Sequence, residues 1–196
     1  LRTGMEILQR NEDLPAEDRE RLLANLNAEL TELGNLVSEL VELASDRTSM
    51  DEPTSEFTLD AVARSVAERA TARSGREIRV SVSDPHPVEG HPAMVERAVG
   101  NLVDNALKYG GDAPIDIEVD GTTLHVCDRG PGVADDDKGQ VFDRFYRATA
   151  ARGMSGSGLG LSIVADIAAH HGGRVEVTDR EGGGARFTLH LPPRSP

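Results

Sequence analysis

From residue 17 to residue 46 the apolar positions return at alternating intervals of four and three: Leu26, Leu30, Leu33, Val37, Leu40 and Ala44. This is a heptad seam about three repeats long, the mark of a helix packed lengthwise on other helices. Leu22, Leu23, Leu36 and Val41 widen the apolar side beyond a two-stranded seam, while Glu29, Glu32, Glu39 and Glu42 lie off it. The wider face favours a four-helix bundle. Residues 1–10 read as the end of an earlier helix, and residues 11–15 as a connector with Pro15 near the next first turn. Two helices from one chain cannot close such a bundle, so the pattern predicts a homodimer through a helical hairpin. The plain alternative is a helix packed on its own domain.

After residue 46 the pattern changes. Residues 47–55 hold Ser, Thr, Asp and Pro53 without a period, as a linker does. Phe57-Thr58 is a short strand candidate. Val62, Val66 and Ala70 recur every four residues in a helix over 59–73, stopped by Ser74-Gly75. Ile78, Val80 and Val82 alternate with polar residues, which predicts a half-buried strand. Pro85-His86-Pro87 is a turn, and residues 88–90 are a second short strand candidate. Pro92 opens a helix that Gly110-Gly111 closes. Ile115, Ile117 and Val119 form a strand, Asp120-Gly121 is a hairpin turn, and Leu124 and Val126 continue on the return strand. Residues 133–157 hold Phe142, Phe145 and Tyr146 but no dominant period, the signature of a lid or binding loop. A helix over 158–171 and two final strands, around Val175-Val177 and Phe187-Leu191, complete the chain.

The predicted fold class is therefore α/β. It is an α/β sandwich, with a mixed, largely antiparallel sheet of about five strands covered by three helices, preceded by a dimerising helical hairpin. The expected domains are a partial hairpin over 1–48, a linker over 49–56 and a compact domain over 57–196.

Charge narrows the partners. Asp and Glu number 34 against 21 Lys and Arg, a net −13. That balance argues against a nucleic-acid groove or an anionic membrane surface, and leaves nucleotides open, since helix N-termini and glycine-rich loops bind phosphate inside acidic proteins. No apolar run approaches the roughly 18 residues of a spanning helix, so the fragment itself is not expected to insert in a membrane. The single Cys127 falls on the opposite side of its strand from Leu124 and Val126 and reads as structural. The chain opens on Leu1 and is expected to come from a longer protein.

Three motifs carry chemistry. On the helix from Pro92, Asn101, Asn105 and Lys108 stand at i, i+4 and i+7 and share one face. A carboxamide oxygen can ligate Mg²⁺ and a lysine can meet phosphate, although a solvated amphipathic helix is the bland alternative. Asp128-x-Gly130-x-Gly132 follows a strand. A carboxylate only accepts hydrogen bonds, which suits the exocyclic amine of adenine, and glycines admit a flat ring; a plain turn is the alternative. Gly156-Ser157-Gly158-Leu159-Gly160-Leu161 runs into a helix, where free N–H groups favour anions. It has neither the Lys-Ser/Thr of a P-loop nor the dinucleotide-binding spacing.

Their order is the specific signal. An amide-bearing helix, Asp-x-Gly-x-Gly, Phe142-Asp-Arg-Phe145-Tyr-Arg147, then Gly-Ser-Gly-Leu-Gly-Leu resembles the sensor histidine kinases of two-component systems, over essentially the whole chain. Their ATP-binding domain shares a superfamily with DNA gyrase B, Hsp90 and MutL. Residues 101–109 resemble the N box, 128–132 the G1 box, 142–147 the F box and 156–161 the G2 box. The resemblance implies ATP and Mg²⁺ as cofactors, with Asn105 ligating Mg²⁺, Lys108 at phosphate and Tyr109 against adenosine. It implies Asp128 on the adenine amine, Gly130 and Gly132 lining the base pocket, and Arg147 near the lid within reach of phosphate. Gly156, Ser157, Gly158, Gly160 and Leu161 would form the phosphate end, with Leu159 under the lid. Asn101 stands where ATP-hydrolysing relatives place a general-base glutamate. An amide cannot take a proton, so the donor should hydrolyse ATP poorly and keep its γ-phosphoryl for a protein nucleophile.

The resemblance further implies a homodimer, a response-regulator receiver domain as partner, and a cytoplasmic fragment of an inner- or plasma-membrane sensor. One departure stands out. Leu1-Arg2-Thr3 echoes the family's acceptor motif, but Gly4 replaces its proline and no histidine precedes. None of His86, His91, His125, His170, His171 and His190 has acceptor context, so the acceptor is expected upstream of Leu1 and the chain as given should not autophosphorylate. Two rival readings are an anti-sigma-type serine/threonine kinase relative and a non-catalytic ATP-gated dimerisation module.

Overall fold

The computed structural model describes Arg21, Leu23, residues 53–148 and residues 157–193. Apart from Arg21 and Leu23, the predicted hairpin with its dimer seam lies outside these residues, as does the first half of the linker. The elements run β1 (Ser55–Thr58), α1 (Leu59–Ser74), β2 (Ile78–Ser83), β3 (Pro87–Gly90), α2 (Pro92–Tyr109), β4 (Ile115–Asp120), β5 (Thr123–Cys127), α3 (Asp135–Lys138), α4 (Gly160–His170), β6 (Arg174–Asp179) and β7 (Ala185–His190).

Five strands form one sheet in the order β2-β4-β5-β7-β6. β2 lies parallel to β4, with Ile78 opposite Ile115 and Val82 opposite Val119, and the other pairs are antiparallel. The parallel pair needs a crossover, and β3 with α2 supplies it. The two short strand candidates pair with each other: β1 and β3 make a separate antiparallel ribbon in which Phe57 faces Val88.

Alternation decides the layers. Ile115, Ile117, Leu124, Val126, Phe187 and Leu189 point to one face and are fully or almost fully buried. Against them lie Val62 and Val66 of α1, Leu102, Val103 and Ala106 of α2, and Val164 and Ile167 of α4, all in the same core. α2 is the central helix, in contact with both α1 and α4. The other sheet face is polar. Arg186 pairs with Glu118 at 2.7 Å and Arg180 pairs with Asp116. Cys127 stands in this row, opposite Asp116 and Arg186, yet is 1 % exposed. Its burial pushes the thiol up to about 11, so it stays protonated, in keeping with a structural role.

The stretch expected to lack regular structure opens with a four-residue helix, α3. Asp135, Asp136 and Asp137 occupy its first turn, where the helix dipole favours negative charge. Lys138 then bonds both Asp135 at 2.6 Å and Asp179 at 2.7 Å, fixing the start of the stretch to the end of β6. Further on, Phe142 meets Phe187 edge to face, with centroids 6.4 Å apart, and the Tyr146 hydroxyl donates to Asp137. Phe145 is 67 % exposed.

Candidate functional site

α2 presents its polar stripe at the border between core and solvent. Asn101, Asn105, Lys108 and Tyr109 are each partly exposed, while Leu102, Val103 and Ala106 between them are fully buried. Asn101 Nδ2 donates to the Gly160 carbonyl at 3.3 Å, which ties α2 to the first residue of α4. At the other end Lys108 Nζ lies 4.9 Å from the centroid of the Tyr109 ring, within cation–π reach. Arg76 secures this last turn by donating to Leu107 O at 3.0 Å and to Ala113 O. From Asn101 to Tyr109 is eight residues, a span of about 12 Å along the helix.

Asp128 follows β5 directly and is 4 % exposed. Its Oδ1 accepts from Gly130 N at 2.8 Å and from Ala185 N at 3.2 Å, and its own N–H donates to Ala185 O at 3.0 Å. Oδ2 accepts no hydrogen bond from the described residues. A carboxylate oxygen left open in this way can take one more donor. Gly130 brings the loop against the end of α2. A Cβ there would lie 2.2 Å from Tyr109 O, so the two backbones touch only because the side chain is absent. Gly110 lies over Asp128, and Gly132 faces Gly184 in the β6–β7 turn.

The second glycine motif stands at the Asn101 end. Leu159 is buried, and its N–H donates to Ser157 Oγ at 3.2 Å. Gly158 O accepts from Phe145 N at 3.1 Å, which joins the motif to the aromatic stretch. Gly160 and Leu161 form the first turn of α4, and Leu161 packs against the core. Arg147 lies partly exposed near the end of residues 133–148. Gly156 lies outside the described residues. Among the described residues no group of three or more His, Cys, Asp or Glu side chains is disposed to hold a metal ion.

The motifs thus converge on one face of α2: Asp128 and its glycines at the Tyr109 end, Leu159 and Gly160 at the Asn101 end. A cavity of about 340 Å³ opens elsewhere, between α1 and α2, beside the ion pairs Arg69–Glu96 at 2.8 Å and Arg73–Asp104. It shares only Asn101 with the stripe and contains neither Asp128 nor a motif glycine apart from this edge, so it is a groove between helices rather than the site.

Sequence reasoning missed four residues that shape this face: Arg76, Arg180, Gly184 and Ala185. The run Gly182-Gly183-Gly184 reads only as a turn. A Cβ on Gly184 would lie 2.1 Å from Asp128 O, and its φ is +103°. Nothing in the local sequence ties that turn to a residue more than fifty positions earlier.

Comparison with known proteins gives the family of the chain. Residues 90–195 match the family model described as histidine kinase-, DNA gyrase B- and HSP90-like ATPase. The signal transduction histidine-protein kinase/phosphatase MprB of Mycolicibacterium paratuberculosis is 36% identical over 212 residues, covering 100% of this chain and 40% of the relative. The chain therefore spans less than half of that relative's length. Among solved structures, the mycobacterial sensor histidine kinase MprB aligns with a TM-score of 0.62 and 31% identity, over 72% of this chain and 99% of that one. The ATP binding domain of PrrB from Mycobacterium tuberculosis aligns at 0.59 and 29%, over 74% of this chain and 100% of that one. The chain belongs to the histidine kinase-, DNA gyrase B- and HSP90-like ATPase family, and its compact part is an ATP-binding domain of the sensor histidine kinase type.

Proposed function

We propose that this chain binds Mg-ATP along α2 and serves as the phosphoryl donor of a sensor histidine kinase. The observation that carries the reading is Asp128: a buried carboxylate with one oxygen held by two backbone N–H groups and the other open, at the foot of an amide-bearing helix. Oδ2 accepts the adenine amine, Gly130 and Gly132 admit the ring, and Tyr109 covers the adenosine. Along the roughly 12 Å of helix from Tyr109 to Asn101 the phosphates run past Lys108 and Asn105 to the first turn of α4. Arg147 closes on them from the lid, and Gly156, Ser157, Gly158 and Leu161 complete the phosphate end.

The donor set suits magnesium. Mg²⁺ retains water and phosphate oxygens and takes few protein ligands, so one amide oxygen, from Asn105, is enough and no carboxylate cage is needed. Bound there, it would neutralise charge on the transferred phosphoryl. Asn101 is unfit as a base for water, because an amide takes no proton and its Nδ2 already serves Gly160 O. ATP is therefore hydrolysed slowly and the γ-phosphoryl passes to a protein side chain. The acceptor is a histidine on a dimerising hairpin, from which the group moves to a response-regulator aspartate; in the parent protein this machinery lies on the cytoplasmic side of a membrane sensor.

Phosphotransfer from γ-labelled ATP to a longer chain bearing a histidine hairpin tests the reading. Label that is lost in acid and kept in base places the group on histidine. The opposite stability means a serine or threonine acceptor, and bound ATP without label means a nucleotide-gated module.

A further inference from the structure

We infer that Arg180 is a positioning residue for base recognition, holding Asp128 in place from behind the sheet; this rests on the proposed role of Asp128 at the adenine amine. The Arg180 guanidinium bridges three elements. Nη1 donates to Cys127 O at 3.4 Å and to Asp128 O at 3.3 Å, and Nη2 pairs with Asp116 on β4. The pair is withdrawn from water, with side chains 13% and 21% exposed.

The backbone of Arg180 acts on the same target. Its N–H donates to Gly184 O at 3.1 Å and its carbonyl accepts from Gly183 N at 3.0 Å, which closes the β6–β7 turn. That turn delivers Gly184 against Asp128 O and Ala185 N to Asp128 Oδ1. One residue therefore fixes the Asp128 backbone through its side chain and the Asp128 carboxylate through its own main chain. With Oδ1 and the carbonyl both held, the direction of Oδ2 is set before any ligand arrives. Hydrogen-bond discrimination needs placement within about 0.5 Å, which a loop end without such support does not keep. The guanidinium is the suitable group, since a planar fork can serve a carboxylate and two carbonyls at once.

The test uses the intact chain and calorimetry with two nucleotides, Mg-ATP and purine riboside triphosphate, which lacks only the exocyclic amine. The wild-type chain should favour ATP by about 10- to 100-fold, the worth of one hydrogen bond to a charged acceptor. Arg180→Lys keeps a cation for Asp116, and therefore the fold, but has no second nitrogen for the carbonyls. It should reduce the preference to within about threefold, chiefly by weakening ATP. Arg180→Met should lose the preference as well, with a lower melting temperature because Asp116 is left unpaired. An equal loss for both nucleotides, or an unchanged ratio in Arg180→Lys, overturns the inference and leaves Arg180 a structural residue. A wild-type chain with no preference would remove the base-reading role of Asp128 itself, a result seen before any variant is made.

Discussion

At the scale of single residues, the carboxylate of Asp128 divides its work between fold and ligand. Oδ1 satisfies Gly130 N and Ala185 N, and Oδ2 faces the proposed base. Asparagine separates the two tasks, because it keeps an oxygen for the backbone donors while turning an N–H₂ toward the adenine amine. Donor then meets donor. Asp128→Asn should keep the circular dichroism of the wild-type chain and weaken Mg-ATP binding by about 100-fold, given roughly 1.5–3 kcal/mol for a charge-assisted bond and a further repulsive contact. Calorimetry showing unaltered affinity would end the proposed role. The Asn101–Gly160 bond makes a related point. It gives the amide a structural duty, joining two helices, beside the chemical one inferred from the sequence.

At the scale of elements, the two ends of α4 hold α2 at its middle and at its start. Besides Asn101 at the Gly160 end, the far end of α4 meets the start of α2 through histidine. His171 Nδ1–H donates to Ile167 O at 2.8 Å, and its Nε2 accepts from His91 N–H at 3.0 Å. Both ring nitrogens are thus committed to the neutral form. Burial, with His170 and His91 close by, lowers its proton affinity, and the bond to Ile167 O only partly offsets this. His125 is lowered in the same direction, first by burial and then by Arg186. In the unfolded chain these rings take a proton near pH 6.5. Below that pH the unfolded state binds more protons than the folded one, so stability falls as pH drops, and it is fully present above it. Melting temperature should be level above about pH 7 and decline toward pH 5. His171→Gln should show a shallower decline, the remainder belonging to His125; an identical slope in wild type and variant would contradict the assignment.

At the scale of the whole molecule, the compact domain is a one-sided sandwich whose other sheet face, left uncovered by the described residues, is laid with the ion pairs Arg180–Asp116 and Arg186–Glu118 rather than apolar side chains. Such a face costs little to leave in water and does not drive association. Association is expected instead from the heptad seam of residues 17–46, which offers Leu26, Leu33 and Leu40. The chain should sediment as a dimer at tens of micromolar. Truncation to residues 53–196 should give a monomer that still binds ATP. A monomeric mass for the whole chain would exclude the seam as a dimer contact.

Sequence alone determined the order of the motifs and the elements other than α3. Helix and strand periods are local, so the apolar stripes of α1, α2 and α4 and the alternation of β4 and β5 could be read directly, and so could the polar stripe of Asn101, Asn105 and Lys108; Asp128 stood out only through the order of the motifs. Tertiary structure alone decided the parallel pairing of β2 with β4, the ribbon of β1 with β3, and the arrangement around Asp128. Ala185, Gly184 and Arg180 reach it from more than fifty residues away, and Gly160 reaches Asn101 from fifty-nine. The reason is physical. A hydrogen bond across the sheet depends on which strands become neighbours, and that choice is made by burial of the whole core rather than by any short window of residues.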